Sequence, residues 1–148
     1  MEAKTFHGGV HPAGHKELSC ESALKPLLPQ GELVYMTNQH IGKPATPVVK
    51  KGDKVLAGQV IAEAGGFVSA NIHSSVSGTV KAVEPRKNAS GGSAMAIVVE
   101  NDGEYTLAEG VGETCDAASL SNQELLAKVQ KAGIVGMGGA GFPTHVKL

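Results

Sequence analysis

Short apolar and alternating runs dominate the middle of the chain, from Glu32 to Glu100. They have the length and β-branched content typical of strands, and Gly, Pro, Asn or Asp separates them: ELVYMT, TPVVK, KVLAGQVIAEA, SVSGTVKAVE and AMAIVVE. Two successive stretches repeat one theme, in which a glycine turn (Gly52-Asp53, then Ser77-Gly78) joins two strands. The pattern predicts a compact all-β domain over residues 32–100, made of two similar halves that pack face to face.

The first 31 residues lack this alternation. Gly and Pro recur too often among residues 1–31 for a helix, so we expect an extended arm with turns. His7, His11 and His15 recur every four residues, a spacing that would align three imidazoles on a helix. Because the intervening Gly and Pro residues break such a helix, hydrogen-bonded turn histidines are favoured over a metal site.

A short helix is predicted near the end of the chain. Residues 101–120 are polar and glycine-rich and indicate a linker. Ser121 and Glu124 then have the spacing of a capping box, and an apolar stripe follows at Leu125, Leu126 and Val129. With Gly133 as the expected C-cap, the helix should extend from about Asn122 to Ala132.

Composition narrows the partners and cofactors. The chain has 13 Lys+Arg against 14 Asp+Glu with no basic cluster, so no nucleic-acid partner is expected. No apolar stretch approaches the roughly 20 residues that span a bilayer, and no transmembrane segment is predicted. Cys20 and Cys115, the two cysteines, lie outside any C-x-x-C pattern and should be reduced thiols. An iron–sulfur cluster normally needs about four thiolates, so this chain alone should hold none.

The stretch VKKGDKVLAGQVIAEA, followed by SVSGTVKAVE, resembles the biotinyl/lipoyl carrier domain. The resemblance implies a barrel-sandwich hybrid fold, and in that family a lysine between the two halves receives the cofactor. No lysine lies between Lys54 and Lys81, so neither biotin nor lipoate can be attached here. Asn71 and His73 lie in this hairpin, where turn and packing roles are favoured over contact with a ligand or partner.

The glycine-rich terminus VGMGGAGFPTHV has the chemistry of an anion site. Its glycines leave backbone N–H groups open to approach, and Pro143 suits the first turn of a new helix with Thr144 beside it. Lys147 would lie on that turn and add a positive charge, so a ligand that bears a phosphate is expected. The dinucleotide fingerprint is incomplete, because no acidic residue follows at the required distance, and the Walker pattern lacks its Gly-Lys-Ser/Thr.

The order G-x-G-G-A-G-F-P-T resembles the flavin mononucleotide (FMN) loop of the NADH-binding subunit of respiratory complex I. The resemblance implies FMN binding by the positions that match: Gly136, Gly138, Gly139, Ala140, Gly141, Phe142, Pro143, Thr144 and Lys147. Met137, His145 and Leu148 depart from the family pattern, and no contact is carried over to them. Residues 121–148 are therefore expected to be the truncated start of an α/β FMN/NADH-binding domain.

The arm, the lysine-free barrel-sandwich and the flavin loop, in that order, resemble the C subunit of the Rnf electron-transport complex. The resemblance implies a mainly β N-terminal piece of a longer protein, peripheral on the cytoplasmic side of the cell membrane. That protein would pass electrons between NADH and ferredoxin through FMN and two four-iron four-sulfur clusters, coupled to ion translocation. Its partners would be NADH, ferredoxin and the other subunits. The piece alone should hold no cofactor, contain no catalytic residue and serve as a scaffold or docking module.

Three other interpretations stay open. A microcompartment-associated cobalamin reductase shares this architecture. The A subunit of the sodium-pumping quinone reductase is related but departs from the cysteine-ligated pattern. Finally, the chain could be a non-catalytic interaction module.

Overall fold

The computed structural model describes residues 8–9 and 12–148. In this part of the chain a series of short strands precedes a single α-helix, α1, at Asn122–Lys131. The strands are β1 (Glu32–Met36), β2 (Thr46–Pro47), β3 (Lys54–Val55), β4 (Val60–Glu63), β5 (Ile72–His73), β6 (Gly78–Lys87) and β7 (Ser93–Asn101). Three-residue 3₁₀ turns occur at Lys16–Leu18, Ala117–Ser119 and Thr144–Val146.

The strands form two antiparallel sheets. One sheet has the order β1-β7-β6-β3 and the other has the order β2-β4-β5. The long β6–β7 hairpin is the centre of the larger sheet, and β1 adds to it with Glu32 opposite Glu100 and Met36 opposite Ala96. The mainly β, barrel-sandwich prediction is confirmed.

The core between the sheets is aliphatic. Ile61 from the smaller sheet and Ile97 from the larger one are both 0% exposed. Val55, Val76, Val80 and Val99 complete the centre of the cluster. Tyr35 is the buried aromatic member, and its hydroxyl oxygen accepts a hydrogen bond from the Ser75 backbone N–H at 3.0 Å. The scarcity of aromatics in the sequence is thus matched by a core of small branched side chains.

Two local predictions in the β region need correction. Ser77-Gly78 is not a turn, because Gly78 begins β6 and pairs with both Val55 and Asn101. A Cβ at this position would overlap the Glu100 carbonyl oxygen, so the neighbouring strand requires glycine here. Strand β5 lies outside the five predicted runs, since a two-residue strand has too little alternation to be recognised.

Helix α1 begins where the sequence predicts. Both halves of its capping box are present: Ser121 Oγ accepts from the Glu124 N–H, and Glu124 Oε2 accepts from the Ser121 N–H at 2.8 Å. The C-cap is Ala132, and Gly133 follows it in the left-handed conformation with φ +66°. Within the described residues, no helix is long and apolar enough to cross a membrane.

The described part of the arm is irregular, and hydrogen bonds attach its end to the barrel at Pro29. The Pro29 carbonyl oxygen accepts hydrogen bonds from Asn101 Nδ2, at 2.7 Å, and from the Tyr105 hydroxyl. His15 precedes the first 3₁₀ turn and lies 3.3 Å from Glu17. His7 and His11 lie outside the described residues, so the three-histidine prediction stays a prediction.

Candidate functional site

The glycine-rich terminus folds back on itself as a closed loop. Val135 and Pro143 form an antiparallel bridge, and the Thr144 N–H donates to the Ile134 carbonyl oxygen at 2.9 Å. One step further in, the Gly136 N–H donates to the Phe142 carbonyl oxygen at 2.9 Å. Residues 136–142, here called the glycine loop, are therefore closed at their base by backbone hydrogen bonds.

The tip of the glycine loop is open. Positions for a Cβ on Gly138 and Gly139 have no atom within 4 Å, and Met137 is 95% exposed. Among the residues that the structure describes, none accepts a hydrogen bond from the N–H groups of residues 137–140. Backbone donors without a partner on an exposed glycine-rich turn are available to phosphate oxygens.

Lys147 lies beside this loop, although not on the helix expected there. The predicted helix is a 3₁₀ turn of three residues, Thr144–Val146, with Pro143 at its N-cap position. The Lys147 Nζ is 5.7 Å from the centroid of the Phe142 ring and 3.2 Å from the position of a Cβ on Gly136. The fold therefore brings Gly136, Phe142 and Lys147 together, and an ammonium group lies at the base of the loop.

Two glycines place the terminal segment against the barrel-sandwich. Gly141 is buried, and a Cβ on it would lie 3.0 Å from the Gln39 carbonyl oxygen and 3.1 Å from His40 Cα. A Cβ on Gly133 would overlap the Asn71 carbonyl oxygen. Close approach requires glycine at position 133, whereas a Cβ at position 141 would be tight. Both residues also have a positive φ that favours glycine, +66° at Gly133 and +67° at Gly141.

Asn71 and His73, the hairpin residues noted in the sequence, contact the end of helix α1. Asn71 Nδ2 donates to the Lys131 carbonyl oxygen at 3.2 Å, while its Oδ1 accepts from the Ala64 N–H at 2.9 Å. Partial burial lowers the pKa of His73, and this effect outweighs a hydrogen bond to the same Lys131 carbonyl. Asn71 and His73 therefore pack against a partner within the chain, the end of helix α1 at Lys131.

Beside these contacts, a cleft of about 200 Å³ is lined by residues of both the hairpin and the terminal segment. Its walls include Gln39, His40, Asn71, His73, Val135 and Met137. In the 3₁₀ turn that follows the loop, His145 Nε2 is buried and has no hydrogen-bond partner within the described chain. The sequence singled out His145 only as a departure from a family pattern, because no local signal reveals that a side-chain nitrogen will be buried.

The residues fit some cofactors and not others. Free N–H groups and Lys147 fit the phosphate of FMN. The hairpin offers no lysine for biotin or lipoate. Cys20 and Cys115 are both exposed, and residues 8–9 and 12–148 contain no group of three His, Cys, Asp or Glu side chains placed to hold a metal ion. Two thiols are fewer than the about four thiolates that an iron–sulfur cluster normally needs.

Comparisons with known proteins agree on one family. Residues 4–104 match the profile of the RnfC barrel sandwich hybrid domain. The chain is 45% identical to the C subunit of the Na⁺-translocating ferredoxin:NAD⁺ oxidoreductase complex of Acetobacterium woodii, across 97% of the chain and 32% of the relative. It is 44% identical to the C subunit of the proton-translocating ferredoxin:NAD⁺ oxidoreductase complex of Clostridium ljungdahlii, over 98% of the chain and 32% of the relative.

A more distant relative gives the same picture. The C subunit of the ion-translocating oxidoreductase complex of Rhodobacter capsulatus is 40% identical over 100% of the chain and 29% of the relative. The chain thus spans about a third of the length of these curated relatives.

Proposed function

The chain belongs to the RnfC family, and from this membership we propose that it is part of the C subunit of an ion-translocating electron-transport complex. Support comes from the domain match over residues 4–104 and from relatives at 40–45% identity that are themselves named as parts of such complexes. Because these relatives are named as C subunits of such complexes, we prefer this assignment to a cobalamin reductase or the A subunit of a quinone reductase. The other subunits of the complex are its proposed partners.

The activity proposed for the longer protein is electron transfer between NADH and ferredoxin, coupled to ion translocation. FMN and two four-iron four-sulfur clusters would carry the electrons. Since this chain has two cysteines, the cluster ligands would come from other parts of the protein. We place the longer protein peripherally, on the cytoplasmic side of the membrane.

The glycine loop is proposed to hold the phosphate of FMN. The proposal rests on one observation: the N–H groups of residues 137–140 have no acceptor in the described chain, and the Lys147 ammonium lies at the base of the same loop. Backbone donors and a positive charge together complement a doubly charged phosphate, and the open positions at Gly138 and Gly139 leave room for close approach. When bound, FMN supplies a ring that accepts and releases electrons. No residue of this chain is assigned a catalytic role.

An FMN titration of the 148-residue chain tests the proposal. We expect FMN at millimolar concentration to shift the amide NMR signals of Gly138 and Gly139, because its phosphate binds their N–H groups. Riboflavin, which has the same ring without the phosphate, should leave these signals unchanged. Lys147→Met should weaken the FMN response, whereas Lys128→Met on helix α1 should not. Equal shifts with FMN and riboflavin would contradict phosphate binding.

Isolated, the chain should remain a scaffold. We expect it to be colourless after dialysis, to bind FMN more weakly than micromolar and not to oxidise NADH. The reason is that the residues assigned to FMN contact only its phosphate, and none is assigned to holding the flavin ring. Retention of yellow flavin through dialysis, or measurable NADH oxidation, would contradict this expectation and assign the activity to the chain itself.

A further inference from the structure

The glycine loop is joined to the barrel-sandwich at two separate points. At the first, the Lys131 carbonyl oxygen accepts a hydrogen bond from Asn71 Nδ2, and Gly133 packs directly against the Asn71 backbone. At the second, Gly141 packs against the turn formed by Gln39 and His40. The first point lies just before the loop in sequence and the second lies inside it, near its end, so the barrel contacts the chain ahead of the loop and the last part of the loop itself.

His40 connects the two points within the barrel. Its side chain is buried, with the residue 7% exposed. The Ala70 N–H donates to His40 Nε2 at 3.2 Å, which makes Nε2 the unprotonated nitrogen. Nδ1 then carries the proton and donates to the Ile41 carbonyl oxygen at 3.0 Å. The turn that receives Gly141 is thereby tied to the hairpin that carries Asn71.

The terminal segment has few other means of holding its shape. Helix α1 is ten residues long and has no buried residue, and isolated helices of this length are marginal in water. Within residues 121–148, Gly141 and Pro143 are the buried positions. A glycine-rich loop also loses more conformational entropy on ordering than other sequences do. Contacts with the barrel-sandwich should therefore have a large effect on the geometry of the glycine loop.

We infer that Asn71 and His40 are positioning residues: Asn71 holds the chain just before the glycine loop, His40 holds the turn that receives Gly141, and together they set where the free N–H groups of the loop point. The barrel-sandwich is then a template for the loop, beyond its role as a spacer. The ligand of the loop rests on the proposed function, whereas the anchoring of the loop does not.

Asn71→Asp is the sharpest variant for testing this role. The aspartate keeps an oxygen for the Ala64 N–H but loses the donor to the Lys131 carbonyl oxygen, and it adds a negative charge beside that carbonyl. We expect hydrogen-exchange protection of the Gly136 and Thr144 amides to fall by at least roughly tenfold, with the β6–β7 amides unchanged. Gln123→Glu makes the same amide-to-carboxylate change on an exposed face of α1 and should have no such effect.

Gly141→Ala tests the second anchor, and His40→Ala tests the link between the anchors. The new Cβ of Gly141→Ala would press on Gln39 and His40, so the nuclear Overhauser contacts between residues 141 and 40 should be lost. Gly91→Ala is the control, because Gly91 also has a positive φ, +80°, but has open space around it. His40→Ala should lower the protection of the loop amides as Asn71→Asp does.

The FMN-induced NMR shifts of the loop and the urea midpoint of the barrel are then measured on the same samples. We expect Asn71→Asp to abolish the FMN-induced shifts at Gly138 while the urea midpoint of the barrel stays unchanged. If Asn71→Asp and Gly141→Ala both leave the loop amides and contacts as in the parent chain, the positioning role is wrong. If the loop amides lose protection in the variants but FMN never shifts Gly138 in the parent chain, positioning stands and flavin binding fails.

Discussion

The barrel-sandwich and the terminal segment 121–148 are ordered in opposite ways. In the barrel, Ile61, Ile97 and Val99 are completely buried between two sheets, so the domain has its own core. In the terminal segment no residue of helix α1 is fully buried, although Leu125, Leu126 and Val129 are half-buried. Its order comes from the capping box, from backbone hydrogen bonds at the base of the glycine loop and from two glycine contacts with the barrel. The difference indicates that stability is concentrated in one region and candidate chemistry in the other, a common division between scaffold and binding loop.

Truncation of Ile97 should have the largest effect, because it removes the centre of the region that has a core of its own. We expect Ile97→Ala to lower the free energy of unfolding by about 2–5 kcal/mol, and the terminal segment should lose order together with the barrel. Urea denaturation followed by NMR measures both. Val34→Ala, at a position 45% exposed on β1, is the control and should cost well under about 1 kcal/mol. A cost for Ile97→Ala as small as that of the control would contradict the assigned core.

Loss of the helix cap should act on the terminal segment alone. Ser121→Ala removes the acceptor for the Glu124 N–H and should destabilise α1 locally by about 1 kcal/mol. The helical circular dichroism signal should fall while the urea midpoint of the barrel remains in place. Gln123→Ala, at an exposed position of the same helix, should leave both signals unchanged. A shifted barrel midpoint in Ser121→Ala would show that the helix supports the barrel, which is the reverse of the expected dependence.

Acidification should produce the smallest effect, at the joint between the two regions. Burial lowers the pKa of His73 below its usual 6.5, so the folded chain binds this proton less readily than the unfolded chain. The stability that neutral His73 contributes to the folded state is therefore fully present above pH 6.5 and is lost as the pH falls through the folded-state pKa of His73. NMR signals of Gly133 should follow this change, and His73→Gln should abolish it. An unchanged titration in His73→Gln, or its loss in His15→Gln at an exposed site, would contradict the assignment.

The barrel can be predicted from the sequence because its determinants are local and repetitive. Alternating Val, Ile and Ala residues between glycine turns indicate strands whatever their partners are. The capping box of Ser121 and Glu124 is likewise confined to a few neighbours, so the start of α1 is predicted to the residue. The turn prediction at Gly78 is wrong because the need for glycine there comes from Glu100, on a neighbouring strand, and not from a turn.

The candidate site is predictable only in part. The order of residues 136–144 is enough to identify the flavin-like loop, but it contains no sign of the attachment to the barrel. Those contacts join Gly141 to His40 and Lys131 to Asn71, across sequence separations that no pattern within the loop encodes. In the sequence, the only sign of a close contact between two backbones is a glycine. Because this chain has 20 glycines, that sign does not tell which of them makes such a contact. FMN binding by the loop stays a prediction.

The pairing of β1 with β7 sets an order in time. Glu32 lies opposite Glu100, so the larger sheet cannot be completed until the ribosome has released the chain past about residue 100. Helix α1 and the glycine loop leave the ribosome after that point and meet a barrel whose strands can already be paired. In a nascent chain we therefore expect the terminal segment 121–148 to leave the ribosome only when the barrel-sandwich, which it packs against, is already able to fold.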